Sequence, residues 1–310
     1  YHATMTQISP LDSSHQEPIS QLAPFAALII SIILVVLFLI RFYVLEGFLI
    51  PWLYGKTYTE MSETNRRGFI NHHIAGATKF VIFLVAVYPF IRAVTAGPTV
   101  FHHPYIPGGP ATLGDALIVV AQMLIGMYIF ELLYRVKLSP VAVLHHVGTI
   151  MIGQSAIAIS LKLAREPDAN IEFILCLVWG AFDLISEFFP HIAIILYRVY
   201  PHRHYFLARI FLLSCLTTAT GTLCETIVTM WLFGSLWNRW QIAFKVVTPL
   251  LHIAFSAAQI HGSLVFWRMY KRQLRFIQEE KDLEEGKDEG SLSLANTESL
   301  PSAEHVARAY

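Results

Sequence analysis

Two adjacent histidines, His145 and His146, interrupt the apolar run VAVLHHVGTIMIG. About forty residues further on, the stretch WGAFDLISEFFPH sets Trp179, Asp183, Glu187 and His191 four residues apart. On a helix that spacing aligns all four along one stripe. Imidazole can act as a base or a nucleophile near neutral pH, and a neighbouring carboxylate can orient the ring and stabilise its cationic form. The candidate catalytic set is therefore His145, His146, Asp183 and Glu187. Adjacent helical residues point about 100° apart, so one histidine is expected to face the site and the other to support it. Lys79, Glu131, Thr149, Trp179, His191, Glu225 and His252 are polar or aromatic positions in other apolar runs or on the same stripe, and are candidates for substrate binding.

An ionisable side chain facing lipid at mid-bilayer costs on the order of 3 kcal/mol, so these groups should share a protein interior. At 1.5 Å per residue, His145 lies about 6 Å inside its span and Glu187 about 16 Å from the same end. A single polar chamber in that half of the membrane is expected, with apolar walls suited to an amphiphile.

The elements that must position these groups follow from composition. Of 310 residues, 55% are hydrophobic and 14% charged, and net charge is zero. Several apolar runs reach the roughly 20 residues that cross a bilayer as a helix. An all-α bundle of seven membrane spans is predicted, at about 25–45, 70–94, 115–134, 141–162, 172–198, 207–233 and 241–267. Lysine and arginine concentrate in alternate connections: Lys56, Arg66 and Arg67; Arg135 and Lys137; Arg198, Arg203 and Arg209; and Arg268 to Arg275. By the positive-inside rule the N-terminus is lumenal and the C-terminus cytosolic. Residues 1–23 read as a polar lumenal tail, 24–65 as the first span with its cytosolic connection, and 66–272 as the main bundle. The acidic, Ser-rich stretch 273–310 reads as a disordered cytosolic tail, unable to bury enough apolar surface to fold.

Metal and nucleotide chemistry find no motif. The chain has no His boxes of the membrane di-iron type, no HEXXH and no cysteine pair with zinc spacing, so no metal is expected. P-loop and GxSxG patterns are absent too. A haem held between two histidines is a third reading, behind the two below. The overall charge balance gives no reason to expect nucleic acid as a partner.

The segments LSPVAVLHHVGTIMIG and FDLISEF, with RRGFINHH and GDALIVVAQMLIGMYIFELLYR before them, resemble the TLC-domain family of multi-span membrane proteins (TRAM, LAG and CLN proteins). The likeness covers about residues 66–272. It implies residence in the endoplasmic reticulum membrane and a role in lipid metabolism. The best-known enzymes of that family, ceramide synthases, join a fatty acyl group from acyl-CoA to the amine of a sphingoid base. Asp183 and Glu187 match the second Asp and the Glu of their HDxxDxxLExxK signature. The chain departs from it at Trp179, Gly180, Ser186 and Pro190. The resemblance thus implies an N-acyltransferase acting on a sphingoid base or other lipid amine, with acyl-CoA as co-substrate and no bound cofactor. Its alternative is a non-catalytic member that binds lipid or cargo and regulates membrane composition. The partners implied are lipid, the membrane and a second copy of the chain.

Overall fold

The computed structural model describes residues 18–161 and 169–288. Among the described residues the chain is helical, with no strand beyond an isolated bridge between Pro104 and Thr112. Seven helices are long and apolar enough to cross a membrane. They are α1 (Ala23–Tyr54), α2 (Glu63–Ala96), α3 (Leu113–Tyr134), α4 (Pro140–Ser160), α5 (Ala169–Val199), α6 (His204–Ser235) and α7 (Ile242–Asp288). The seven apolar runs of the sequence each correspond to one of them.

Local chemistry sets the ends. Ser139 caps α4 by accepting from the Ala142 amide, and Pro140 occupies the first turn, where its missing N–H costs nothing. That start places His145 and His146 in the second turn of α4. Thr112 and Asp115 form a reciprocal capping box at α3, and Ser20 donates to Asp115 Oδ1 at 2.5 Å. Ile19 is wholly buried beside it, so the described end of the expected polar tail, from Pro18 on, is docked on the bundle. The rest of that tail lies outside the described residues.

Two helices outrun their apolar cores. α1 continues past position 45 through a π-helical stretch, Ile40–Leu49, before Gly55 breaks it at φ 50°. Arg41 Nη2 and Glu46 Oε2 pair there at 2.8 Å, five residues apart, a separation that the wider π turn brings together. α7 runs to Asp288, into the stretch expected to be disordered. His204 Nδ1 lies 2.7 Å from Gln273 Oε1, and Ile277 is buried. These contacts with the start of α6 anchor a segment rich in good helix formers. Residues 289–310 lie outside the described residues.

α2, α3, α4, α7, α6 and α5 pack in that order into a closed ring, with α5 also against α4 and α1 outside on α3. α5 and α6 approach closely at Gly221, where an added Cβ would sit 2.1 Å from Ser186 Oγ. Such contacts between small residues let membrane helices meet without a hydrophobic driving force. Large apolar side chains such as Leu28, Val35, Phe48, Trp231 and Leu250 face outward, while Lys79, Gln122, Asp183, Glu225 and His252 are buried within. The buried polar groups are gathered inside the ring among apolar packing, and the outer surface is apolar, as lipid demands.

Candidate functional site

Within the ring, the candidate residues fall into three connected groups. At the centre, His145 Nε2 lies 3.2 Å from Asp183 Oδ1 and 3.3 Å from Glu187 Oε1, without hydrogen-bond geometry to either. Lys79, wholly buried on α2, donates to Glu187 Oε2 at 2.5 Å. The Tyr128 hydroxyl on α3 bonds Asp183 Oδ2 and lies 3.1 Å from Glu187 Oε2, so one phenolic proton serves two carboxylates. Phe255 on α7 packs edge-on against the His145 ring at 5.1 Å, and its own ring reaches within 2.9 Å of where a Cβ on Gly148 would stand. His145 is therefore clamped between a carboxylate pair and an aromatic wall.

The second group supports the first from the basic end of the bundle, where Arg135 and Arg198 lie. His146 stacks on Tyr128 at 4.4 Å and sits 3.5 Å from Glu131 Oε2, whose other oxygen accepts from Arg135 at 2.7 Å. His191 Nδ1 meets His72 Nδ1 at 3.0 Å, so one of the two rings donates and the other accepts. The two adjacent histidines thus divide as their 100° offset requires. His145 meets Asp183 and Glu187; His146 holds Tyr128 and Glu131 in place.

The third group lies between α5, α6 and α7. Trp179 Nε1 donates to His252 Nδ1 at 3.1 Å, and His252 Nε2 lies 3.1 Å from Thr226 Oγ1. Gln259 Nε2 donates to Glu225 Oε2 at 2.9 Å, and Thr222 donates to Gln259 Oε1 at 2.7 Å. Thr149 instead bonds back to the His145 carbonyl at 3.0 Å, a contact within its own helix.

Two cavities replace the single polar chamber that the sequence suggests. A small one of about 60 Å³ opens at the basic end, against Arg135, Ser139, His145, Glu187 and His191. A larger one of about 340 Å³ extends toward the opposite end, walled by apolar side chains of α2, α3, α4 and α5. Asp183, Glu225, Gln259, Thr149 and Trp179 also line it. The stripe on α5 is split by depth: Trp179 and Asp183 reach the apolar cavity, Glu187 and His191 the polar one. His145 and the two carboxylates stand at the boundary between them.

Tyr128 is the main contributor that the sequence reading omits. It sits one turn before Glu131 on α3, so the spacing rule that picked out the acidic stripe on α5 also reaches it. Gln259, two turns from His252 on the same face of α7 as its spacing suggests, joins the third group through Glu225 and Thr222.

The ligand atoms of His145, Asp183 and Glu187 all fall within 4.8 Å of one another, a set able to hold a metal ion that no sequence motif announces. Lys79 already places one positive charge on this carboxylate pair, and a protonated His145 would supply the second. The chain matches no protein-family model, no curated protein and no solved structure.

Proposed function

We propose that this protein is a lipid N-acyltransferase of the endoplasmic reticulum membrane, with its basic end facing the cytosol. The observation that carries the reading is His145, held against Asp183 and Glu187 where a polar cavity meets an apolar one. An acyl-CoA ester divides in the same way, into a polar nucleotide and an alkyl chain. Its chain would occupy the apolar cavity and its thioester would lie beside His145, with the polar part toward the basic end.

With Nε2–H held toward the carboxylates, the unshared pair of His145 is on Nδ1, which makes no hydrogen bond. The acceptor amine attacks the thioester carbonyl carbon as His145 takes a proton from its nitrogen. The C–S bond then breaks, the thiolate receives that proton, and the products are an amide and free CoA. Asp183 and Glu187 stabilise the imidazolium in between, and Lys79 and Tyr128 fix the two carboxylates. In a covalent version His145 itself attacks the carbonyl and thiolate leaves; the amine then displaces the imidazole and its lost proton passes to the thiolate, giving the same amide and free CoA. The mass of the protein after exposure to acyl-CoA alone separates the two: unchanged for base catalysis, raised by one acyl group for the covalent route.

The apolar cavity by itself would equally serve a protein that binds lipid without turnover. Lipid mass spectrometry of cells with wild type and with His145→Ala distinguishes these. A transferase requires an N-acyl lipid class that falls in the variant. An unchanged lipid profile with equal protein levels favours the binding protein.

A further inference from the structure

The charge that develops on a carbonyl oxygen during acyl transfer needs a hydrogen-bond donor where the two cavities meet. His145 serves there as the base, and Asp183 and Glu187 are acceptors in that step. Among the described residues, Gln259 on α7 is the one side chain on the wall of both cavities. It is 6% exposed, and Phe255, one turn before it, packs on the His145 ring. Its amide is held at both ends. Nε2 donates to Glu225 Oε2 at 2.9 Å, and Oε1 accepts from the Thr222 hydroxyl at 2.7 Å. An amide nitrogen carries two N–H groups, so one is left without an acceptor among the described residues. With the amide turned over, a protonated Glu225 would donate to its oxygen and Thr222 would accept from its nitrogen; one N–H is again left over. The spare donor therefore does not depend on the charge of Glu225.

A buried donor left unpaired is costly, and this one belongs to the side chain standing where polar and apolar space meet. We infer that Gln259 donates its spare N–H to the carbonyl oxygen of an acyl group whose chain lies in the apolar cavity, and so is a catalytic residue that holds the oxyanion. As the attacking lone pair forms a bond to the carbonyl carbon, the C=O pair moves onto oxygen, where the N–H meets it. That pair returns to carbon as the C–S bond breaks, and Gln259 keeps its proton throughout. Its anchors on Glu225 and Thr222 fix the amide before substrate arrives, so the step needs no reorganisation of the donor. The catalytic role rests on the acyl-transfer reading, but the hydrogen bond to the carbonyl forms without turnover.

Infrared spectroscopy of purified protein in detergent tests this with a long-chain methyl ketone whose carbonyl is isotope-labelled and which cannot transfer an acyl group. Bound to the wild type, the ketone's C=O stretch should fall below its frequency in a hydrocarbon solvent. In folded Gln259→Met it should return to the hydrocarbon value. A wild-type band at the hydrocarbon frequency, or a ketone that does not bind, would overturn the proposal whether or not the variant folds. So would a shift that survives in folded Gln259→Met. In acyl transfer, Gln259→Met should lower kcat by about 10²–10³-fold with little change in KM, the usual loss for one oxyanion donor. An unchanged kcat in folded variant would also overturn it. A shifted carbonyl in a protein that never forms amide strikes the transferase reading and leaves this carbonyl donor standing. Amide formation with an unshifted carbonyl does the opposite.

Discussion

His145 and Lys79 do different work, and substitution separates them. Removing the imidazole with His145→Ala should lower acyl transfer by about 10²–10⁴-fold, the usual contribution of a positioned proton-transfer group. Protein stability, followed by thermal unfolding in detergent, should change far less than activity. Lys79→Met should do the reverse of a purely kinetic lesion. It leaves Glu187 buried without its ammonium, at a cost of about 3–5 kcal/mol, and the double variant with Glu187→Met should recover much of that loss. Failure of the double variant to recover would show that the pair is not the coupled unit described here. The histidines and the acidic stripe were legible because helical spacing on α5 and the apolar context of α4 mark them directly. Tyr128 was not, because a tyrosine in a membrane span has an unremarkable apolar ring, and its role arises only from carboxylates on another helix.

At the level of elements, the sequence reading located each of the seven long helices from its apolar run, since lipid forces the backbone to be satisfied within each span. It fell short where a helix continues past its apolar run. α7 reaches Asp288 through polar residues whose support comes from tertiary contacts with His204, which hydropathy does not record. Truncation after Arg272 should therefore lower the unfolding temperature, by loosening the start of α6. The π-helical stretch carries α1 past the expected end near 45, and within it Arg41 and Glu46 neutralise each other. Between α5 and α6, Gly221→Ala should destabilise the bundle by about 1–3 kcal/mol through overpacking against Ser186, measured by the same unfolding assay. Ser186→Ala in the same chain should relieve part of it.

Across the whole molecule, a ring of six helices carries two unlike cavities, with His145 and its carboxylate partners between them. Sequence could place the polar residues on facing helices but not divide the space between them, because cavity shape depends on side chains from four apolar walls. Ala121, on the wall of the apolar cavity, offers a direct probe of that division. Ala121→Phe should shift acyl-CoA preference toward shorter chains without abolishing transfer, as read by product mass spectrometry over a chain-length series. Chelation with EDTA should leave transfer unchanged, whereas loss restored by added zinc would assign His145, Asp183 and Glu187 to a metal instead. The most direct measurement is amide formation by purified protein given palmitoyl-CoA and a long-chain amine, with His145→Ala beside the wild type. The account predicts N-acyl product and stoichiometric free CoA from the wild type, and only background from the variant. Equal product from both, or none from folded wild type across acyl-CoA and amine chain lengths, would contradict it.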